Sequence, residues 1–479
     1  MSVQINEDRT SNNPRHRVTD QGMGILKQYL AAFVASLGGF SLGVSLGWNS
    51  SSSESMKNYV NADSLALGLV GGIFNLGACV GLMLLPFVLR AFSRIGAMMM
   101  TVPILFLGWS CIVFAGQTVP LMLFGRILCG FSGTFCVLVP IYVTEIADRR
   151  IRGCLLALFQ VLINLGIMFA YLVAELTELE KTIWLYSLIC TVTTAPVAFA
   201  ILLPESPTYH LLTGNENRAK ISLQLFRGKD HPELNSEMEE LKQLVAIKES
   251  KQVSLNTLRE KQVRRSLFGA FGLMMMHQFS GIGPFIFYTL ALFKVSGSAD
   301  ITSSQQTLVV GAAQLVSSIL AAVLIDILGR KVLLVASSSL MGIFMFLLGW
   351  FFNVQQEDPE FADAISWMPL TWIALFFAAF SLGVGPIAWV LLGEIFPVHV
   401  KLEAAITMAV LNWLASLSLT LLFGEMLDGM GEAKTMWFFG VMSWAGAIFT
   451  LVFIKETKLR SLIDLQDGAV GIPEDSSEL

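Results

Sequence analysis

Twelve apolar stretches run through this 479-residue chain, each near the length a helix needs to cross a bilayer. They fall at about 26–47, 67–89, 97–115, 120–143, 154–174, 183–203, 266–292, 306–326, 332–352, 369–392, 403–424 and 435–454. Lipid offers no partner to a free backbone N–H or C=O, so such stretches cross it as helices. The expected fold class is an all-α membrane protein with twelve transmembrane helices. A composition of 54% hydrophobic and 14% charged residues fits that class and excludes a soluble domain of this size. The net charge of -5 is small and points to no nucleic-acid partner. Six cysteines lie in or beside apolar segments of the first half, without metal or disulfide spacing, and read as small packing residues. The polar N-terminal stretch has no cleavable signal pattern, so the first helix is expected to act as its own insertion signal.

One long polar insert, roughly 205–262, separates the sixth and seventh stretches, and segments such as SEMEELKQLVAIKES read as short amphipathic helices outside the membrane. The expected domains are an N-terminal tail (1–25), a six-helix bundle (26–204), the insert (205–262), a second bundle (263–455) and a C-terminal tail (456–479). Orientation follows from the basic residues of short loops. One side carries Arg90, Arg94, Arg149, Arg150, Arg152, Arg330, Lys331 and Lys401; the other has Lys57, Lys181, Lys294 and Lys434. The first side, both termini and the insert are therefore expected in the cytoplasm. Asn49-Ser50-Ser51 is a glycosylation sequon on the expected outer side.

The two halves echo each other. Glu145-Ile146 precedes Arg152 by seven residues, and Glu394-Ile395 precedes Lys401 by the same interval. The sixth helix ends in PESP with Glu205, and the twelfth ends in KETK with Glu456. FSRIG at 92–96 matches DILGRK at 326–331. The chain thus reads as a six-plus-six duplication. Charges at the ends of apolar helices are expensive and usually functional. Simple topology anchoring accounts for the lone Arg90, whereas the repeated Glu and Arg spacing points to a pairing network that forms in one state and breaks in another. The segment 125–153 carries Gly130, Gly133 and Pro140 between its charged ends, and small residues let helices approach closely in lipid.

Polar groups suited to a solute lie mostly in the second half. In HQFSGIGPFIFY (277–288), Gly281, Gly283 and Pro284 interrupt an apolar helix, and freed backbone is tolerated only where it lines protein or a cavity. His277 and Gln278 then face a polar interior. Gln160, Asn164, Gln314 and Asn412 are further amides, able to donate to and accept from sugar hydroxyls. Taken singly, each is more simply an interhelical hydrogen bond; spread over helices five, seven, eight and eleven, they read as one cavity. Trp389 and Trp413 offer flat faces to a sugar ring. The first helix, LGGFSLGVSLGW, carries Ser41 and Ser45 but no acid, which argues against proton coupling, while His277 keeps it open. No nucleophile, base and orienter set appears, nor a phosphate-binding glycine loop, so an enzyme is not expected and no cofactor is implied.

These residues resemble the sugar porters of the major facilitator superfamily, and most of all the insect facilitated trehalose transporters, over about 26–462. The signature is Gly125, Arg126, Gly130, Gly133, Pro140, Tyr142, Glu145, Arg152 and Gly153, with PESP at 204–207, QFSGI at 278–282, Asp326 with Gly329-Arg330-Lys331, GVGPIAW…EIFP within 383–397, and ETK at 456–458 in support. The resemblance implies alternating access between two pseudo-symmetric six-helix bundles. It implies a sugar site using Gln160, Gln278, Trp389 and Asn412, with Tyr288 as a gate. The expected substrate set is completed by His277, Gly283 and Gln314. The expected latch comprises Arg94, Arg126, Glu145, Arg152 and Glu205 with Asp326, Arg330, Glu394, Lys401 and Glu456. Family members usually carry glutamine at 277, asparagine at 283 and at 314, an acid at 90 and glycine at 93, arginine at 208, and PETKG where Lys455 and Leu459 flank ETK. With Arg90 and Ser93 in place, the first-half latch is expected to be altered. Proton-coupled members carry an acid where Ser45 lies.

The expected function is a plasma-membrane uniporter for trehalose or a related sugar, monomeric in its transport unit, with sugar and bilayer as partners. A transporter of another polar solute such as a polyol, and a non-transporting sugar sensor, stay open as alternatives.

Overall fold

The computed structural model describes residues 14–60, 64–177, 179–228, 231–250, 257, 260–296, 302–397 and 399–458. Within them the chain is helical throughout. The first six spans are built from α1 (Pro14–Val60), α2 (Ser64–Ala91), α3 (Arg94–Phe114), α4 (Val119–Gly130), α5 (Phe135–Ile146), α6 (Arg152–Leu176) and α7 (Leu179–Val192). Three short helices form the insert: α8 (Pro207–Leu212), α9 (Glu216–Arg227) and α10 (Leu234–Ser250). The second six use α11 (Lys261–Phe279), α12 (Ile282–Ser296), α13 (Ser303–Leu328), α14 (Arg330–Glu357), α15 (Pro359–Ala364), α16 (Met368–Leu382), α17 (Val384–Glu394), α18 (Lys401–Met430) and α19 (Glu432–Phe453).

Among the described residues, eleven helical stretches are long and apolar enough to span a membrane. The seventh expected span is the one missing from that set. It is present as two pieces, α11 and α12, because the chain turns at Ser280-Gly281 with Gly281 at φ +91°, a conformation that favours glycine. Pro284 also has no N–H to give a continuing helix. The fourth span relaxes into a 3₁₀ turn at Phe131–Thr134 between α4 and α5, and the tenth is divided at Gly383 between α16 and α17. Large apolar side chains such as Met83, Phe87, Val316, Val323 and Ile448 are exposed, the surface a bilayer would cover.

Packing within and between the halves follows the small residues. A Cβ on Gly130 would stand 2.2 Å from the carbonyl oxygen of Phe74, so α2 and α4 meet backbone to backbone. The halves meet chiefly along α6 against α13 and along α2 against α18. The duplication exchanges these two seams, since α6 begins at Arg152 and α18 at its counterpart Lys401. The core segments α5 and α17 are buried along almost their whole lengths.

The insert docks on the first half. Arg227 donates to the carbonyls of Ile146 (2.7 Å) and Ala147 (3.2 Å), capping the end of α5, and forks onto Glu237 of α10. Gln28 links the same region, donating to Phe226 O and accepting from Asp148 N, each at 2.8 Å. Ala219, Leu223, Leu234 and Met238 give the insert its own small apolar core.

Candidate functional site

Where the halves face each other, a cavity of about 70 Å³ is lined by residues of α1, α5, α6, α11, α12, α13, α16, α17 and α18. Gln160, His277, Gln278, Gly283, Gln314, Trp389 and Asn412 all line it, so seven of the expected substrate residues are brought together. Tyr288 lies on α12, and its side chain falls outside the described residues. The break at Gly281 starts α12 afresh and puts Gly283 on the wall, where an added Cβ would meet Ser416 Oγ at 3.0 Å and Gln278 Oε1 at 3.1 Å. His277 is fixed by its ring neighbours, edge-on to Phe380 (5.3 Å) and Trp389 (5.8 Å).

The hydrogen bonding of this wall is incomplete. Gln278 Oε1, Gln314 Oε1 and Trp413 Nε1 are buried without a partner, while the His277 ring and the Asn412 amide interact with each other. Buried polar atoms in folded proteins are almost always paired, and three orphans around one cavity mark a place meant for a polar guest. The opposite wall is satisfied: Gln160 Nε2 donates to Asn164 Oδ1 (3.1 Å), and Asn164 Nδ2 donates to Gln314 O (3.1 Å) and Ser381 Oγ (3.2 Å). Asn164 therefore stitches the first half to the second. No carboxylate is among the residues lining this cavity.

At the insert face, the repeated motifs form two matching clusters. In the first, Arg94 pairs with Glu145 (3.1 Å), whose other oxygen accepts the Ser206 hydroxyl, while Glu205 accepts from Ile95 N at 3.4 Å. In the second, Arg330 pairs with Glu394 (3.5 Å), whose other oxygen accepts the Thr457 hydroxyl (2.6 Å), and Glu456 accepts from Arg330 N and Lys331 N, both at 3.0 Å. Asp326 adds a contact between halves: it pairs with Arg330 (3.0 Å) and accepts from Cys154 N at the start of α6 (2.7 Å). The first-half cluster is thus intact within its half, with Ser93 capping α3 through Gly96 N (3.0 Å). Arg152 and Lys401 line the cavity behind these clusters.

Two expected residues lie elsewhere. Arg126 sits 19 residues before Glu145, about 28 Å along the span at about 1.5 Å per residue, and belongs to no latch at the insert face. It is fully buried, donating to Ser45 O (3.0 Å), Val70 O (3.3 Å) and Asn49 Oδ1 (3.4 Å), with its guanidinium over Trp48 and Phe74 at 5.1 and 4.9 Å. Asn49 is only 4% exposed and takes part in that network, so this conformation has no room for a glycan on it.

The model of the sugar (and other) transporter family matches residues 29–468. The chain belongs to this family. As a member of the sugar (and other) transporter family it is a multi-pass membrane transporter and not an enzyme. Its relatives include a facilitated trehalose transporter Tret1 of Polypedilum vanderplanki, 31% identical over 98% of this chain and 93% of the relative. Another is the Bombyx mori protein of the same name, 30% identical over 96% and 90%. A third, from Drosophila mojavensis, is 32% identical over 98% of this chain, which spans about half (54%) of that relative's length. Among solved structures, the proton:xylose symporter XylE bound to 6-bromo-6-deoxy-D-glucose superposes with a TM-score of 0.79 at 24% identity, covering 93% of this chain and 99% of that one. XylE of E. coli in a partially occluded inward-open form gives 0.73, at 24% identity over 91% and 99%. At these identities the likeness carries the fold alone.

In this sugar transporter, Ser206, Thr457, Ser381 and Ser416 are the polar residues the motifs did not single out. Ser206 and Thr457 each follow a motif glutamate by one residue, so matching hydroxyls in the two repeats were the available signal. Ser381 stands alone in an apolar helix and carries none, whereas Ser416 follows Asn412 by four residues, one helical turn, which was a signal.

Proposed function

We propose that this sugar transporter is a plasma-membrane uniporter for trehalose or a related sugar, working by alternating access with the insert and both termini in the cytoplasm and one chain as the transport unit. The single observation behind the proposal is the ring of unpaired polar atoms around a cavity between the halves, walled by Trp389 and Trp413 and free of carboxylates. Amides and an imidazole suit neutral hydroxyls, and the indole faces suit the apolar face of a pyranose. The names of relatives at 30–32% identity favour trehalose. Arg126 supports uniport: carbonyls, an amide and two aromatic rings satisfy it, and the described residues place no carboxylate against it to take up a proton. The six-plus-six domain boundaries and the two clusters supply the moving parts: pairs within each half hold a bundle together, and the contact of Asp326 with α6 holds the insert face closed.

A second reading rests on the cavity's size. Pockets for drug-sized ligands are roughly 300–1,000 Å³, so a disaccharide needs the closed cavity of about 70 Å³ to expand. A polyol or monosaccharide needs less expansion. Uptake of labelled trehalose and glucose in oocytes, with polyols as competitors, decides between them. Saturable trehalose uptake supports the first; saturable uptake of smaller solutes with no trehalose flux supports the second. No saturable uptake of any of them sinks both, and sugar-induced thermal stabilisation without flux marks a non-transporting sensor.

A further inference from the structure

We infer that the cavity between the two halves and the insert is a binding site for a phosphate-bearing anion, held jointly by Arg152, Lys401 and Lys248. The cavity measures about 490 Å³, within the usual size of a small-molecule site. Its charges do not cancel. Glu145 is taken by Arg94, Glu237 by Arg227, Glu240 by Arg149, and Glu394 by Arg330 from behind. That leaves Arg152, Lys401, Lys248 and Arg90 facing a single lining carboxylate without an ion pair, the exposed Glu403.

Arg152 is the deciding residue. It is 6% exposed, its Nε has no partner, and none of the hydrogen bonds or ion pairs among the described residues includes its guanidinium. Glu394 acts on it only at a distance, being already paired with Arg330, and a buried arginine without a direct partner is costly unless something arrives to pair with it. Arg152 opens α6 and Lys401 opens α18, helices of 25 and 30 residues whose N-termini already carry partial positive charge. Side-chain and backbone fields therefore add, and both favour an anion. Lys248 reaches the same space from α10 of the insert; burial first, and the nearby Arg94 second, hold its ammonium below the usual lysine pKa. A bound anion would reverse that depression. Three cations from three separate bodies suit a multiply charged ligand, and arginine suits phosphate through its fork of donors.

The position also explains the departure at 90. With Arg90 in place of an acid, α2 brings a cation to its edge with α18, where Glu403 is the one lining carboxylate without an ion pair, and an anion between Arg152, Lys401 and the insert supplies further negative charge. Occupancy would lock the insert face shut and slow exchange.

The test uses the full-length protein in nanodiscs of neutral phosphatidylcholine, titrated with inorganic pyrophosphate by calorimetry. One-site saturable binding is expected, weakened roughly tenfold or more in Arg152→Gln and in Lys248→Gln. Lys248 lies on the insert, so its variant stays informative if Arg152→Gln does not fold. A second set of discs contains phosphatidylserine. If a lipid headgroup is the source, these discs suppress the pyrophosphate heat and raise the melting temperature of the wild type but not of Lys248→Gln. If a free anion is the source, pyrophosphate binds alike in both discs. The inference is overturned by absence of saturable pyrophosphate binding together with no Lys248-dependent lipid effect, or by binding that both variants leave unchanged.

Discussion

Replacing Asn412 with leucine should separate stability from transport in opposite directions. Asn412 is 1% exposed, and its amide has no hydrogen-bond partner other than His277. A buried group with unmet hydrogen bonds costs about 1–3 kcal/mol, so the ligand-free transporter carries that cost at this residue. Leucine has similar volume and no polar atoms, so the sugar-free variant should melt at the wild-type temperature or above it. Sugar binding should suffer instead. Two hydrogen bonds at about 0.5–1.5 kcal/mol each amount to about 1–3 kcal/mol. At 1.4 kcal/mol per decade, the half-saturation concentration should rise roughly 5- to 150-fold. The assays are thermal unfolding of purified protein without sugar and initial-rate uptake in proteoliposomes. A lower melting temperature with unchanged half-saturation would refute the reasoning, because Asn412 would then be a structural amide.

Asp326→Ala should open the insert face, since it removes the pair with Arg330 and the acceptor for Cys154 N; loss of such charge-assisted bonds costs about 2–3 kcal/mol, and labelling of Cys154 by an impermeant maleimide from the insert side should quicken, whereas unchanged labelling counts against the latch. Wild-type uptake should be flat across the pH range in which histidine titrates, while Ser45→Asp, which adds a carboxylate at the residue whose carbonyl accepts from Arg126, should make uptake fall as external pH rises; a pH-dependent wild type would contradict uniport. Gly130→Ala, whose Cβ would lie 2.2 Å from Phe74 O, should lower the melting temperature sharply, while Gly424→Ala, with open space around it, should not; equal melting points would mean that α2 and α4 can separate without cost.

The twelve apolar stretches and the repeated Glu–Arg spacing were legible because both are periodic, and periodicity survives in one dimension. Arg126 was misplaced for the complementary reason. An arginine in an apolar helix looks the same from sequence at either end of the span, and only its depth, set by the length of α4 and α5, separates it from Glu145. Asn49 failed similarly: the sequon pattern is local, whereas its burial against Arg126 depends on where α1 meets α4. The amides of the central cavity were found as a set, yet which were spent on each other was hidden. Asn164 and Gln160 are satisfied, and Gln278 Oε1 and Gln314 Oε1 are not, because pairing is decided by the facing helices. The change at Arg90 was visible as a departure, but the clusters show that it spares the pair within its own half.

The turn at Ser280-Gly281 divides allegiance within one span. Behind it, α11 packs on α18 and α19 of its own half; beyond it, α12 packs on α1 of the other as well as on α13, α16 and α18 of its own. A continuous helix would have to break internal hydrogen bonds, or tilt as a whole, each time the far side of the molecule parted. Here the interruption is already present in the closed form, and Pro284 has no amide hydrogen to lose. Under the proposed alternating access, the far side would yield by pivoting a piece of 15 residues, leaving His277 and Gln278 in place on the cavity wall.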